Sequence, residues 1–220
     1  MTAHLKIDMV SDVACPWCAV GLFALQTALG ELKEDVSAEL HFLPFELNPT
    51  MAPEGEDAIA YLGKKYGASP EQQARTREMI AARGAEVGFT FAPQGRGRIY
   101  NTFDAHRLIA WAGTLAGDAQ HRLKVALLEA YQGRAEPIND PDVLLQAVVA
   151  AGLPREEAQE VLHSEAFTDE VRQAEQWAQQ VGIQSVPTFI INDRYLISGG
   201  QPADVFVKSL REIAADHATP

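Results

Sequence analysis

The sequence lacks three features that would each assign it to a large class of proteins. Its 220 residues include only two cysteines, too few for the disulfide framework of a small secreted domain. No stretch approaches the roughly 20 apolar residues of a membrane-spanning helix. The first ten residues, MTAHLKIDMV, lack the basic, apolar and small-residue succession of a signal peptide. We therefore expect a cytoplasmic protein with no membrane partner.

Basic residues are also scarce. Eighteen Lys and Arg stand against thirty Asp and Glu, which gives a formal net charge of -12 and a pI near 4.9. Such a charge repels the phosphate backbone of nucleic acids, so we expect no nucleic-acid partner. Hydrophobic residues make up 47% of the chain, enough to bury a core, which excludes a disordered or fibrous protein.

The order of local patterns predicts one domain interrupted by another. Residues 1–49 read as a strand, a helix beginning at Cys15 and a second strand, whereas residues 165–220 read as a helix, two strands and a last helix. Between them, residues 50–164 show helical patterns with caps, and no strand pattern. We predict an α/β domain of residues 1–49 and 165–220, with residues 50–164 inserted as a helical domain.

Three local details sharpen this prediction. The second strand is expected at residues 40–47, where Pro44 requires an edge or bulge position because it has no N–H to donate. The segment Gly95-Arg96-Gly97-Arg98 is expected to be an exposed loop. Thr168 is expected to cap the helix that follows it, and Ser69 is expected to begin another helix through a capping box with Gln72.

The two cysteines form a Cys-Pro-Trp-Cys motif at a junction between strand and helix. Pro16 suits the first turn of that helix, where its missing N–H has no partner to lose. The helix N-terminus favours a thiolate at Cys15, which is therefore the predicted nucleophile. Cys18, one turn further, is the predicted resolving thiol. This prediction assumes that the turn from Ser11 to Pro16 is exposed.

Other interpretations of the motif stay open at this level. A Cys-x-x-Cys pair is half of a zinc site, but the chain has no second pair and no His-x3–5-His motif to complete four ligands, so we expect no metal. Two inert buried thiols would require the turn before Cys15 to be buried. Near the C-terminus, Val186-Pro187 is consistent with a proline that begins a strand. The alternative is a cis peptide bond, which the local sequence does not establish because only about 5–6% of X–Pro bonds are cis.

Four segments, taken in order, resemble the DsbA family of the thioredoxin superfamily. They are Cys-Pro-Trp-Cys at 15–18, Pro-Phe-Glu-Leu-Asn-Pro at 44–49, Asn-Thr-Phe-Asp-Ala-His-Arg at 101–107 and Gly-Ile-Gln-Ser-Val-Pro-Thr-Phe at 182–189. The second and third are similar to signatures of the FrnE-like subgroup. The resemblance implies an α/β thioredoxin-like fold with a helical insertion domain.

The resemblance also implies roles for site residues. The peptide bond before Pro187 is expected to be cis and to lie beside the redox-active pair. Pro187 is expected to be a catalytic residue together with Cys15 and Cys18. Val186 is expected to offer backbone groups to an extended substrate. Trp17, with Pro16, is expected at the substrate surface, although Trp17 packing on the insertion is an equal alternative. The resemblance places the start of the helix that contains His106 near the thiols, where His106 could tune the thiolate or relay a proton. Capping by Asn101 or Thr102 is the plainer interpretation of this segment.

The expected function is that of a cytosolic thiol-disulfide oxidoreductase or isomerase. It needs no cofactor beyond the Cys15–Cys18 disulfide itself, with glutathione or another thiol as a co-substrate and protein or small-molecule thiols and disulfides as partners. One alternative is a glutathione-dependent transferase or isomerase of the kappa-class type, although such enzymes typically carry serine where Cys15 stands. Another alternative is a redox-switched, chaperone-like binding module.

Overall fold

The computed structural model describes residues 2–217, so residue 1 and residues 218–220, which are the ends of the predicted α/β domain, lie outside it. The elements in chain order are β1 (Ala3–Ser11), α1 (Pro16–Glu31), β2 (Val36–Pro44), β3 (Glu56–Asp57), α2 (Ala58–Tyr66), α3 (Pro70–Glu86), β4 (Arg98–Ile99), α4 (Phe103–Ala112), α5 (Ala119–Leu128) with a π-helical turn (Glu129–Gly133), α6 (Pro141–Ala150), α7 (Arg155–Leu162), α8 (Thr168–Gln180), β5 (Thr188–Ile191), β6 (Tyr195–Ser198) and α9 (Ala203–His217).

A four-stranded sheet organises the two ends of the chain. Its strand order is β2-β1-β5-β6, with β1 parallel to β2 and antiparallel to β5. Because successive side chains of a strand point to opposite faces, Ile7 and Met9 join the large core, whereas Val10 packs with Ala178 of α8 on the other face. Helices therefore cover both faces of β1, and α1 starts at its carboxyl end.

The insertion between β2 and α8 is mostly helical, as the sequence predicts. The expectation of no strand there is wrong, since β3 and β4 form a small antiparallel pair. Two-residue strands are too short to show an alternating pattern, so no sequence signal marks them. The hydrophobic core runs without a break from β1 into the insertion, where it includes Leu123 and Leu144. The predicted division into two domains stays a prediction.

Two element boundaries differ from the sequence prediction. The second strand covers residues 36–44 rather than 40–47, and Pro44 ends it on the sheet edge, which confirms the edge position. Thr168 is the first helical residue of α8 rather than its cap; Phe167 precedes it with a positive φ of 63°.

Ser69 forms the predicted capping box with Gln72. Within residues 2–217, no helix combines the length and apolarity that crossing a bilayer takes.

Candidate active site

Cys15 is the N-cap residue of α1. Its backbone is extended, with φ -92° and ψ 114°, and Pro16 occupies the first helical position. The Cys18 N–H donates to the Cys15 carbonyl at 3.1 Å, which brings Cys18 one turn along the same helix. Both cysteines are free thiols in this structure. The strand-to-helix junction thus places the first sulfur where the unpaired N–H groups and the positive end of the helix dipole converge.

The turn before Cys15 is buried, so the expectation of an exposed turn is wrong. Cys15 itself is only 5% exposed. The insertion provides the cover. Gln132 donates its side-chain amide to the Val13 carbonyl at 2.8 Å, and the Arg96 guanidinium donates to the Ala14 carbonyl. Half of the predicted exposed loop at residues 95–98 is accordingly partly buried, because Arg96 reaches inward and lies over the Tyr131 ring.

Burial does not make the two thiols equivalent. A hydrogen bond from the Cys18 side chain, helped by the N–H groups of Cys18 and Trp17, lowers the pKa of Cys15 in spite of its burial. Burial first, and then the hydrogen bond and charge of Cys15, raise the pKa of Cys18 well above its usual value. The pair is therefore polarised in the direction expected of a nucleophile and a resolving thiol, with Cys15 as the more acidic group.

The Val186–Pro187 segment lies against the sulfur of Cys15. The peptide bond is cis, and the Cys15 thiol donates to the Val186 carbonyl at 3.5 Å. The Pro187 carbonyl is held by the Gly199 N–H at 2.8 Å. A Cβ added at Gly21 of α1 would lie 3.1 Å from the Pro187 ring, so the proline sits directly on this helix. The structure thus brings residues 15 and 186–187 together, as the family resemblance implies.

Trp17 and Pro16 are partly buried at the start of α1. The Trp17 ring lies against Gly200, where an added Cβ would be 3.0 Å from its Cε3 atom. Gly200 precedes α9 in the α/β part of the chain. Trp17 therefore has a packing contact there in addition to its packing on the core.

Asp12 and His106 form a buried pair beside the thiols. The Asp12 carboxylate accepts from the Ala14 N–H at 3.0 Å and the Leu47 N–H at 2.7 Å, and His106 Nε2 lies 3.4 Å from its Oδ1. That last distance is long, and Nε2 is a buried atom without a well-directed hydrogen bond. Burial raises the pKa of Asp12, but His106 and the two N–H donors outweigh it and leave the pKa lowered.

Lys124 is a site residue that the sequence reasoning missed. It lies on α5 and is 1% exposed. Its neighbours at helical spacing, Leu127 and Leu128, are fully buried, so a lysine on an apolar stripe was the signal that could have found it. Burial lowers the pKa of Lys124, whereas the charges of Cys18, Asp12 and Cys15 act in the opposite direction. We call these five residues the thiol cluster: Asp12, Cys15, Cys18, His106 and Lys124.

A second group of polar residues, partly buried, joins the segments at 44–49 and 101–107 to α8. The Glu46 carboxylate pairs with Arg172 at 2.5 Å and accepts from the Asn101 amide at 3.1 Å. Arg172 also pairs with Glu175 at 2.7 Å and lies over the Phe103 ring. We call Glu46, Asn101, Arg172 and Glu175 the junction cluster. It shows that these two motif segments are tied together structurally, with Asn101 capping the Phe103 N–H.

Comparison with known proteins agrees with this geometry. The DSBA-like thioredoxin domain family matches residues 6–211. The uncharacterized protein YwbO of Bacillus subtilis is 28% identical over 216 residues, which cover 96% of this chain and 98% of YwbO. A crystal structure described as a probable DsbA oxidoreductase from Streptomyces coelicolor is 32% identical, with a TM-score of 0.89 over 99% of this chain and 92% of that one.

A further structural neighbour is the cytosolic disulfide reductase DsbM of Pseudomonas aeruginosa, solved with GSH. It has a TM-score of 0.64 and 16% identity, and the alignment covers 96% of this chain and 99% of DsbM. At that identity the likeness concerns the fold alone. The comparisons confirm the DsbA-like fold and the family resemblance, while the FrnE-like subgroup stays a prediction.

Proposed function

Because the chain belongs to the DsbA-like thioredoxin domain family, we propose that it is a cytosolic thiol-disulfide oxidoreductase or isomerase that works through Cys15 and Cys18. One observation carries the proposal: Cys15 is the N-cap residue of α1 and Cys18 lies buried one turn further along the same helix, an arrangement that lowers the pKa of Cys15 and raises that of Cys18. Thiol-disulfide exchange needs one thiol that is ionised and attacks first, and a second thiol that stays protonated until the mixed disulfide has formed.

The proposed reaction has two exchange steps. The Cys15 thiolate attacks one sulfur of a substrate disulfide, so that a Cys15–substrate disulfide forms and the other substrate sulfur leaves as a thiolate, which takes a proton from water. Cys18 then loses its proton to water and attacks the Cys15 sulfur. The Cys15–Cys18 disulfide forms, and the second substrate sulfur leaves. The substrate is reduced by two electrons and the protein is oxidised; the reverse order oxidises a dithiol.

The residues around the sulfurs take supporting roles in this proposal. Val186 offers its carbonyl, 3.5 Å from the Cys15 sulfur, to an extended substrate once Cys15 is ionised and no longer donates to it. Pro187 holds that segment against α1, and Pro16 and Trp17 border the sulfur. His106 acts indirectly, because its partner Asp12 is a charge that raises the pKa of Cys15. No further cofactor enters the proposed steps, and glutathione or another small thiol serves as co-substrate.

Turnover with defined substrates tests the proposal. The wild-type protein should accelerate the reduction of insulin disulfides by dithiothreitol, or of oxidised glutathione, and Cys15→Ser should reduce the rate to the uncatalysed level. Cys18→Ser should accumulate a covalent adduct visible as a mass increase that dithiothreitol reverses, because the resolving thiol is gone.

The substrates distinguish the alternatives. Addition of glutathione to an electrophile, without catalysis of disulfide exchange, would favour the glutathione-dependent transferase or isomerase. Suppressed aggregation of an unfolded protein at stoichiometric amounts, without turnover, would favour the binding module. No adduct on Cys18→Ser with either disulfide would contradict the exchange mechanism.

A further inference from the structure

Lys124 stands out among the buried charged groups of the described residues. Its side chain is 1% exposed, and within residues 2–217 no carboxylate lies at ion-pair distance from its ammonium. Asp12, the buried carboxylate whose charge acts on Lys124, already binds the Ala14 and Leu47 N–H groups and contacts His106. A buried lysine without a counter-ion costs stability, which calls for an explanation other than folding.

Lys124 follows His121, which is hydrogen-bonded to Gln26 of α1, and precedes Gln132, which donates to the Val13 carbonyl in the turn before Cys15. This part of the insertion therefore packs against the thiol site, and the charges that act on Lys124 are those of that site. Cys18 comes first, followed by Asp12 and Cys15. Reciprocally, Lys124 is the side chain whose charge lowers the pKa of Cys18, against burial and the charge of Cys15. His106, on α4, contacts this group through Asp12.

Other charged side chains on the elements packed against α5 are engaged elsewhere or lie at the surface. Arg107 of α4 is buried but bonds Asp104 and backbone carbonyls near Ala166. The charged groups of β2 and α6 at exposed or half-exposed positions are Glu39, His41 and Asp142. Lys124 is thus the buried cation whose charge acts on the resolving thiol.

The resolving step needs such a cation. Cys18 is completely buried, and it must become a thiolate in the mixed disulfide before it can attack Cys15. In that state the negative charge of Cys15 has gone, because its sulfur is bonded to substrate. Asp12 is poorly suited to take the Cys18 proton, since the pKa of this carboxyl is lowered. A fixed positive charge in a low-dielectric site stabilises the new thiolate without any movement.

We propose that Lys124 is a positioning residue for the second half of the reaction, in which its buried ammonium stabilises the thiolate of Cys18 as that thiolate attacks the mixed disulfide. The Cys18 proton goes to water, the sulfur–sulfur bond between Cys15 and substrate breaks, the Cys15–Cys18 bond forms, and the departing substrate sulfur takes a proton from water. The inference rests on the proposed exchange mechanism. It assigns the helical insertion a part in the chemistry as well as in covering the turn.

The test separates the two half-reactions. A dithiodipyridine releases one coloured pyridinethione when Cys15 attacks and a second when Cys18 resolves the adduct, so stopped-flow absorbance reports both rates. Lys124→Met keeps the length of the side chain and removes its charge. We expect the second release to move to higher pH. A rise in the pKa of Cys18 that makes its thiolate fraction tenfold smaller also makes each thiolate about threefold more nucleophilic, because the thiolate is more basic. The two effects together should slow resolution at pH 7 by at least about threefold.

Two controls make the result specific. Lys124→Gln should behave like Lys124→Met, whereas Leu123→Met, a neutral change at a fully buried neighbour on α5, should leave the pH profile of the second release unchanged. The thermal midpoint of Lys124→Met should stay the same or rise, since an unpaired buried charge is removed. A structural role for Lys124 would instead lower the midpoint.

The outcomes are distinguishable from a failure of the proposed function. If the wild-type protein releases no pyridinethione at all, the exchange mechanism itself fails. If both releases occur and the second keeps its wild-type pH profile in Lys124→Met and Lys124→Gln, the exchange mechanism stands and the role of Lys124 is overturned. An equal slowing of both releases would also overturn it, because it would show a general effect on the site.

Discussion

The thiol cluster, which is buried, and the junction cluster, which is partly buried, are both polar groups that join the insertion to the α/β part, but their hydrogen bonding differs. In the junction cluster, the Glu46 carboxylate has partners at 2.5 and 3.1 Å, and Arg172 binds two carboxylates. In the thiol cluster, the contact between His106 and Asp12 is 3.4 Å long. Lys124 has no ion pair among the described residues.

This difference indicates different uses of buried charge. Fully paired charges hold one arrangement, and a change at one group leaves its partners unsatisfied, so the effect appears in stability. Incompletely paired charges respond to a nearby charge that appears or disappears, as the charges of Cys15 and Cys18 do during exchange. We therefore expect variants of the junction cluster to change stability and variants of the thiol cluster to change pH dependence.

The largest effect is expected for Arg172→Met. This change leaves Glu46, whose side chain is 1% exposed, without its cation. We expect a loss of about 2 kcal/mol in the free energy of unfolding, less than the ~3–5 kcal/mol for a completely buried pair because the Arg172 side chain is 42% exposed. Urea denaturation measures it, with Arg134→Met, which breaks an exposed pair with Glu136, as a control expected to cost less than about 1 kcal/mol.

The distinction between the two clusters would be contradicted if Arg172→Met also shifted the pH dependence of Cys15 alkylation. Iodoacetamide rates measured from pH 4 to 10 on the folded variant provide that check. An unchanged alkylation profile together with reduced stability is the expected result.

The next effect concerns the acidity of Cys15 and is expected for Cys18→Ala. The hydrogen bond from Cys18 is the largest cause of the lowered pKa of Cys15, so its removal should move the alkylation midpoint to higher pH. Cys18→Ser keeps a donor at the same position and should retain more of the lowered pKa. Equal midpoints in the two variants would show that the Cys18 side chain does not act as a donor.

A smaller effect in the opposite direction is expected for Asp12→Asn. The Asp12 carboxylate raises the pKa of Cys15 through its charge, but this contribution is smaller than that of the Cys18 hydrogen bond. Neutralising it should therefore move the alkylation midpoint to lower pH, by less than Cys18→Ala moves it upward. Glu34→Gln, an exposed change in the turn after α1, is the matched control and should have no effect. An upward shift in Asp12→Asn would contradict this assignment.

Much of the fold could be predicted because its signals are local. The Ser69 capping box, the edge position of Pro44 and the start of a helix at the Cys-Pro pair all depend on residues within a few positions of one another. The four ordered segments also identified the family, and the resemblance to that family implied that Val186 lies beside Cys15. The short strands β3 and β4 could not be predicted, because two residues carry no periodicity.

The candidate site was predicted only in part. The sequence by itself determined that Cys15 begins a helix and Cys18 lies one turn inside it, because proline and a helix N-terminus act within a single turn. Only the tertiary structure decided that this turn is buried and that Asp12 and Lys124 join His106 beside it. These residues lie on separate elements, and their convergence depends on how the insertion packs on the sheet. Charge interactions in such a buried site act through space and leave no pattern along the chain.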